Sequence, residues 1–171
     1  TYGFTADKLI CCYTQQGLWH LAEIDSSGEL KLINNHYTAI SSLHCDNKNA
    51  WLIGQSETSD PEIACYHTTT STLSIDVAAV PLPFTSDYIS KSQPFCFTTG
   101  DQQQAHGFYY PPQNPDYQPP KNQKPPLIVI CHGGPTGSTS AALNIKVQFW
   151  TSRGFAVADI NYRGSTGYGR R

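Results

Sequence analysis

The sequence of 171 residues predicts a mixed fold, in which an antiparallel β region comes first and a parallel α/β sheet follows it. Three observations lead to this prediction. Short apolar runs alternate with polar turns over the first 77 residues, as in all-β regions. A proline-rich stretch then leads to two continuous apolar runs, and the apolar residues between these runs have a helical spacing. We therefore divide the chain into residues 1–80, 81–94 and 95–171.

A weak repeat in residues 1–80 predicts the form of the β region. A shift of 43 residues places Leu9-Ile10 on Leu52-Ile53 and Leu30 on Leu73. This period falls in the range of about 40–45 residues that is typical of four-stranded propeller blades. We expect a partial β-propeller of about two blades, and an ordinary β-sandwich is the alternative.

Prolines mark the connections that follow. Residues 81–94 hold three prolines and predict a crossover linker between two domains. Strand-like runs at 95–99 and 105–110 flank a turn at 100–102, which predicts a hairpin. Residues 111–126 hold seven of the chain's twelve prolines and predict an exposed loop, because proline suits neither a helix interior nor a central strand.

The next segment predicts a strand, a helix and a second strand. Leu127–Cys131 is a continuous apolar run, which is typical of a parallel strand that is covered on both faces. Phe155–Ile160 is a second, mostly apolar run. Between them, residues 141–153 predict a helix that ends at Gly154, because apolar residues recur at spacings of four and three. This order predicts a parallel sheet with a right-handed crossover. The apolar positions of the helix are Leu143, Val147 and Trp150.

The composition excludes several classes of function. A net charge of −2 provides no basic surface for nucleic acid or an anionic membrane. No apolar run approaches the roughly 20 residues that a membrane-spanning helix needs. The N-terminus has no basic segment leading into an apolar one, so we expect no signal peptide, and without an initiating Met it resembles the middle of a longer chain.

Six cysteines are present, but no C-x-x-C pair occurs, which argues against a zinc site and thioredoxin-type chemistry. Most of them lie in apolar, strand-like segments, so we expect buried free thiols in a reducing compartment. This favours a cytoplasmic protein without metal or cofactor. The cysteines are Cys11, Cys12, Cys45, Cys65, Cys96 and Cys131.

The first candidate site is His132-Gly133-Gly134-Pro135, which directly follows the first apolar strand of the α/β region. Catalytic groups in open α/β sheets collect at the carboxyl ends of the strands. Adjacent glycines leave their amide N–H groups uncovered, and amides that point to one position can form an oxyanion hole. A tight turn, in which the glycines serve only the geometry, is the alternative.

A second glycine cluster, Gly164–Gly169, follows the second strand through Asn161-Tyr162-Arg163. Its pattern is G-x-x-G-x-G, which is neither the dinucleotide-binding G-x-G-x-x-G nor a phosphate-binding P-loop. Arg163 could hold neighbouring loops by hydrogen bonds, or it could pair with a substrate carboxylate. We favour the structural role.

HGGP after a buried strand, followed by a helix and by NYRGSTGYG, resembles the prolyl oligopeptidase family of serine peptidases, in particular its acylaminoacyl-peptidase and dipeptidyl-peptidase-like branch. The upstream FCFTTGDQQQAHGFYYPP is similar to that family's entry into its hydrolase domain. The resemblance implies that residues 95–171 form the N-terminal part of an α/β-hydrolase peptidase domain. It also implies that residues 1–80 are the last blades of a propeller, and that short peptides are the substrates.

The same resemblance assigns roles to individual residues. It implies an oxyanion-side loop at His132, Gly133 and Gly134. His132 stands where relatives in other branches have a tyrosine that helps to hold the oxyanion. Either His132 has this role, or it shapes the loop while Gly133 donates its amide. The residues expected to support the loop structurally are Arg163, Gly164 and Tyr168.

The family's Ser-Asp-His triad has no counterpart in the sequence. No G-x-S-x-G motif occurs in the 171 residues, and no triad can be assembled from the serines and histidines present. We therefore expect a fragment that ends before the nucleophile and is inactive by itself. The alternatives are a non-catalytic propeller-type binding module with a hydrolase-like tail, and an esterase of the α/β-hydrolase fold.

Overall fold

The computed structural model of the protein describes residues 1–100, 102–118, 120, 122–134 and 137–169. Within these residues, twelve strands form three four-stranded sheets, which are accompanied by one α-helix and one short 3₁₀ helix. No helix in this described part of the chain is long and apolar enough to cross a membrane.

The first two sheets are successive antiparallel meanders, in which each strand pairs with its neighbour in sequence. The first meander contains β1 (Tyr2–Phe4), β2 (Leu9–Gln15), β3 (Leu18–Ile24) and β4 (Leu30–Leu32). The second contains β5 (Ala39–Cys45), β6 (Asn49–Gln55), β7 (Glu62–His67) and β8 (Thr72–Val77). Each meander is a four-stranded unit of the kind that the sequence repeat predicts.

The repeat identifies equivalent strands but not their buried faces. In the core that the two meanders share, Ile10 of β2 is 0% exposed and Leu52 of β6 is 1% exposed, whereas Ile53 is 36% exposed. The equivalent of Ile10 is therefore Leu52, which lies 42 residues later, and not Ile53. Because successive side chains of a strand point to opposite faces, this difference of one residue exchanges the inner and outer sides of the strand.

A buried carboxylate joins the two meanders. Glu23 in β3 accepts hydrogen bonds from Lys8 Nζ at 2.9 Å and from Tyr66 Oη at 2.7 Å. Burial by itself raises the pKa of Glu23, but the hydrogen bonds from Lys8 and Tyr66 outweigh it and hold the pKa below its ordinary value. Because Tyr66 belongs to β7, its bond to Glu23 fixes the first sheet against the second.

The third sheet contains the strands of the predicted α/β region. Its order is β11-β12-β10-β9, with β9 and β10 forming the predicted antiparallel hairpin and β11 pairing parallel to β12. β10 pairs antiparallel to β12 and connects the hairpin to the parallel pair. The described residues of 111–126 form neither helix nor strand. The strands are β9 (Gln93–Thr98), β10 (Gln104–Tyr110), β11 (Leu127–Cys131) and β12 (Ala156–Asn161).

The helix is shorter than the sequence predicts. Helix α1 spans Ile145–Thr151, whereas the apolar spacing predicts a helix over 141–153. The side chain of Asn144 caps its first turn by accepting a hydrogen bond from the amide of Lys146 at 3.0 Å. Leu143 lies before the helix, where its amide donates to the carbonyl of Ser56 at 2.8 Å and its carbonyl accepts from Gln55 at 3.0 Å. The second meander therefore holds this segment in a non-helical form.

Only one face of the third sheet is covered in the described structure. Val147 of α1 is fully buried against the core formed with Phe108 and Val157, and Ile128 and Ile130 pack onto the same core. The expectation that β11 is covered on both faces is wrong for these residues, because Leu127 and Val129 point away from the helix and are 55% and 59% exposed. Trp150, which the pattern placed among the helix's apolar positions, is partly exposed as well.

The exposure of the cysteines also differs between covered and uncovered sheet faces. All six thiols are free, and Cys12 and Cys65 are buried as expected. Cys96 and Cys131 are exposed, so the expectation of burial is wrong for these two. Cys131 lies on the same, uncovered side of β11 as Leu127 and Val129, which accounts for its exposure.

We expect the uncovered face to make the isolated chain self-associate, because an exposed apolar sheet face favours burial against another copy. The double substitution Leu127→Thr and Val129→Thr should reduce light scattering at micromolar concentration, since threonine retains the strand preference but is polar. The matched control is Ile128→Thr with Ile130→Thr on the covered face, which should destabilise the fold without reducing scattering. A cooperative, monomeric thermal transition of the unaltered chain would contradict the prediction.

Candidate active site

The two glycine clusters lie at the same edge of the third sheet. The segment 132–134 follows β11 and the segment 162–169 follows β12, and the carboxyl ends of parallel strands lie side by side. Tyr162 joins the segments directly, because its hydroxyl lies 3.2 Å from the carbonyl oxygen of His132 and 2.9 Å from that of Gly134. The parallel pairing thus brings the two glycine-rich motifs together at one edge of the sheet.

Both nitrogens of the His132 ring have hydrogen-bond partners. Nε2 lies 2.7 Å from the hydroxyl of Ser165, and Nδ1 lies 3.3 Å from the carbonyl oxygen of Gly133. A carbonyl can only accept, so the bond to Gly133 requires a proton on Nδ1. The ring also stacks on Tyr162, with centroids 4.4 Å apart and an interplanar angle of 20°. These contacts fix the position of the imidazole at the start of the loop.

The two loop glycines are exposed and open on their outer side. A Cβ atom added to Gly133 or Gly134 would meet no atom within 4 Å. Gly134 has a φ of +73°, which favours glycine at this position. Neither amide donates a hydrogen bond to any residue in the described part of the chain. Pro135, the last residue of the motif, lies outside the described residues.

Gly137 is required by a close approach on the inner side of the loop. A Cβ atom at this position would lie 2.7 Å from His132 Nδ1 and 2.9 Å from the carbonyl oxygen of Gly133. The carbonyl of Gly137 accepts a hydrogen bond from the amide of Thr166 at 2.9 Å. A side chain at residue 137 would therefore push the His132 loop away from the second glycine segment.

The amide side chain of Asn161, at the end of β12, joins three parts of the site. Its Oδ1 accepts from the backbone amide of Thr139 at 2.8 Å, and its Nδ2 donates to the Thr139 carbonyl at 3.0 Å. The same Nδ2 donates to the hydroxyl of Tyr168 at 3.0 Å. Asn161 is 1% exposed, so loss of either partner would leave a buried polar group unsatisfied.

A buried carboxyl group lies beneath the same segment. Asp159 in β12 accepts a hydrogen bond from the hydroxyl of Thr139 and is 5% exposed. Burial raises the pKa of Asp159 above its ordinary value, while the hydrogen bond from Thr139 and the nearby His132 oppose part of this shift. The charged form of Asp159 is therefore disfavoured in the folded protein.

The three residues expected to support the loop occupy different environments. Arg163 is exposed and, with His106 and Ser165, lines a cleft of about 530 Å³ at this edge of the sheet. Gly164 has a φ of +96° in the turn after β12. Tyr168 is half-buried and stacks on His106, with ring centroids 4.4 Å apart and an interplanar angle of 16°.

Several residues of the site were not identified from the sequence. Ser165, Asn161 and Asp159 are buried and polar, and each makes a hydrogen bond to the loop that follows β11 or to its flank. Ser165 and Asn161 belong to the NYRGSTGYG segment, so the motif contains them. Their partners lie 22 to 33 residues away along the chain, and spacing alone does not show that contact.

The structure also joins a serine and a histidine in the second meander. Nε2 of His67 lies 2.9 Å from the hydroxyl of Ser74, and Nδ1 lies 2.8 Å from Oδ1 of Asn49. The three side chains come from the neighbouring strands β7, β8 and β6, so these bonds form a ladder across the sheet. We assign this ladder to the stability of the sheet, because acyl transfer also requires donors for an oxyanion.

No family model matches the chain. Individual relatives do match, and they are peptidases. Over 45 residues, or 26% of the chain, it is 42% identical to dipeptidyl aminopeptidase BIII of Pseudoxanthomonas mexicana, of which the match covers 6%. Over 52 residues, or 30% of the chain, it is 42% identical to the acylamino-acid-releasing enzyme of Homo sapiens, of which the match covers 7%.

Similarity to a solved structure extends over nearly the whole chain. A puromycin hydrolase crystal structure superposes on 99% of the chain with a TM-score of 0.92 and 32% sequence identity. The chain covers 26% of that structure, so it spans about a quarter of its length. The two meanders therefore match propeller blades, and the chain matches a segment of the peptidases of the prolyl oligopeptidase family. The resemblance identified from HGGP and NYRGSTGYG is confirmed.

The raised pKa of Asp159 predicts how stability depends on pH. Because the folded state favours the protonated carboxyl, its contribution to stability is fully present below the ordinary pKa of an aspartate, and it is lost as the pH rises through the higher folded pKa. Asp159→Asn retains an acceptor for Thr139 but removes the charge. The free energy of unfolding of Asp159→Asn should therefore exceed that of the parent increasingly as the pH rises.

Urea unfolding at a series of pH values, in the less aggregating background Leu127→Thr with Val129→Thr, measures this difference. The control is Asp87→Asn, because it makes the same chemical change at an exposed position. A constant difference between Asp159→Asn and its parent across the acidic and neutral range would contradict the assignment.

Proposed function

We propose that the chain is part of a serine-type peptidase, to which it contributes the oxyanion side of the active site and the last blades of a propeller. The observation that carries this proposal is the loop 132–134. There, two exposed glycine amides lie at the carboxyl edge of a parallel strand pair, beside a histidine whose ring is held in place. Donors that are already oriented stabilise a developing oxyanion most effectively, because they need no reorganisation during the reaction.

The proposed domain organisation follows the sheets. Residues 1–80 would form a partial β-propeller of about two blades, and residues 81–94 would form the linker. Residues 95–171 would then be the N-terminal part of an α/β-hydrolase domain. Support comes from the parallel pairing of β11 and β12 and from α1, which lies between them in sequence and packs on one face of their sheet.

In the proposed mechanism, a serine supplied from outside these residues attacks the carbonyl carbon of a peptide bond, and its proton passes to a histidine that also lies outside them. The carbonyl oxygen becomes an oxyanion, and the amide of Gly133 donates a hydrogen bond to it. A single donor of this kind is worth about 10²–10³ in kcat. His132 shapes the loop, because its ring nitrogens are engaged by Ser165 and Gly133. Arg163, Gly164 and Tyr168 hold the neighbouring segment.

Short peptides are the proposed substrates, since the relatives are named for dipeptidyl, acylamino-acid-releasing and puromycin-hydrolysing activities. The reaction requires no cofactor. We propose the cytoplasm as the location, because all six cysteines are free, as expected in a reducing compartment.

A serine-reactive fluorophosphonate probe tests the proposed class. We expect it to label a longer gene product that contains this chain, and the transcript should encode a G-x-S-x-G motif downstream of residue 171. Substitution of that serine by alanine should abolish labelling. The chain of residues 1–171 should remain unlabelled, and labelling of this chain would contradict the assignment of the nucleophile to another segment.

A matched pair of substitutions at Gly133 tests the oxyanion donor. In the longer product, Gly133→Pro removes the N–H group and should lower kcat by about 10²–10³. Gly133→Ala keeps the N–H group, its Cβ atom would meet no neighbour, and the backbone is not left-handed there, so kcat should remain close to that of the parent. Equal effects of the two substitutions on peptide hydrolysis would contradict the role of the Gly133 amide.

A further inference from the structure

The turn between β2 and β3, which we call the hairpin tip, contacts the second glycine segment. The tip consists of Gln16 and Gly17, whose φ angles of +53° and +81° are those of a tight two-residue hairpin turn. A Cβ atom added to Gly17 would collide with the hydroxyl of Tyr168. On the other side, a Cβ atom added to Gly167 would lie 2.6 Å from Oγ1 of Thr14. Two glycines thus permit a close approach between the first meander and the second glycine segment.

The hydroxyl of Tyr168 lies between the hairpin tip and the loop that follows β11. It touches Gly17 on one side and accepts the hydrogen bond of Asn161 Nδ2 at 3.0 Å on the other. Its ring is held by the stacked ring of His106. An added atom at residue 17 therefore has to displace a hydroxyl whose bond to Asn161 and whose ring contact with His106 oppose the movement.

From Asn161 and its neighbours, two short routes reach the His132 loop. Asn161 holds the backbone of Thr139 by two hydrogen bonds, at 2.8 and 3.0 Å. Thr166, next to Gly167, donates its amide to the carbonyl of Gly137, which in turn lies against the ring of His132. Residues 137–139 are the continuation of the loop that contains Gly133 and Gly134. Packed, hydrogen-bonded groups thus connect the hairpin tip to the described residues of that loop.

We propose that Tyr168 is a positioning residue, through which the hairpin tip of the first meander holds residues 132–134 and 137–139 in place at the sheet edge. The part of this proposal that concerns catalysis rests on the proposed function; the mechanical coupling does not. Docking of the blade fixes Tyr168, Tyr168 fixes Asn161, and Asn161 fixes Thr139. When the blade moves away from the third sheet, the loop loses this support.

The chain offers matched controls for both sides of the contact. Gly17 and Gly28 both have left-handed backbones, with φ of +81° and +84°, but a Cβ atom at Gly28 meets nothing within 4 Å. Gly17→Ala and Gly28→Ala therefore impose similar backbone strain and differ in the collision with Tyr168. Gly167 and Gly169 form a second such pair, with φ of +97° and +87°, and only the first meets Thr14.

Amide hydrogen exchange of the dilute chain, followed by mass spectrometry, measures the coupling without any need for activity. Peptides that report Thr139, whose amide donates to Oδ1 of Asn161, should exchange severalfold faster in Gly17→Ala and Gly167→Ala than in Gly28→Ala and Gly169→Ala. Tyr168→Phe removes only the hydroxyl and should have the same effect, which keeps the test decisive where an alanine variant unfolds. Equal loop exchange in Gly17→Ala, Gly28→Ala and Tyr168→Phe would overturn the proposal.

A second measurement separates this proposal from the proposed function. In the longer gene product, Tyr168→Phe should lower kcat for peptide hydrolysis while leaving KM unchanged, because the loop acts on the oxyanion and not on substrate binding. Faster loop exchange with an unchanged kcat would support the coupling and overturn the oxyanion role of the loop. Unchanged exchange with a lower kcat would overturn the coupling and leave the proposed function standing.

Discussion

The parallel pairing of β11 with β12 is the constraint on which the rest of the site depends. Each strand ends in a glycine-rich segment, and only a parallel arrangement places both segments at one edge of the sheet. The bonds from Tyr162, Ser165 and Asn161 can form only because the two strand ends are neighbours. An antiparallel arrangement of the same strands would separate these residues by the length of a strand.

The second constraint is the way in which the meanders hold the segment before α1. Gln55 at the end of β6 donates to the carbonyl of Leu143, which a longer helix would use, and the carbonyl of Ser56 accepts from the Leu143 amide. The helix therefore begins later than its apolar pattern suggests, and Asn144 becomes its cap. The blades thus determine where the helix begins, and through Glu23 and Tyr66 they are fixed to each other as well.

The sequence predicted the elements better than their surroundings. The hairpin and the parallel strands follow from local apolar patterns and turn residues, and the two four-stranded units follow from the 43-residue repeat. A periodic pattern does not contain information about contacts between distant segments. Such contacts determine where α1 starts, which side chains of β6 point into the core, and whether Cys131 is exposed. The candidate loop was identified because glycines and a histidine are distinctive, whereas Asn161 and Ser165 are common residues whose partners lie far along the chain.

Because the peptide bond is planar, the carbonyl groups of the loop determine the direction of its amide N–H groups. The carbonyl of His132 and the N–H of Gly133 belong to one rigid peptide unit and point in opposite directions, as do the carbonyl of Gly133 and the N–H of Gly134. Tyr162 holds the first carbonyl and the ring of His132 holds the second. A phenol and an imidazole thus orient two amides from behind, without touching the hydrogens that those amides present.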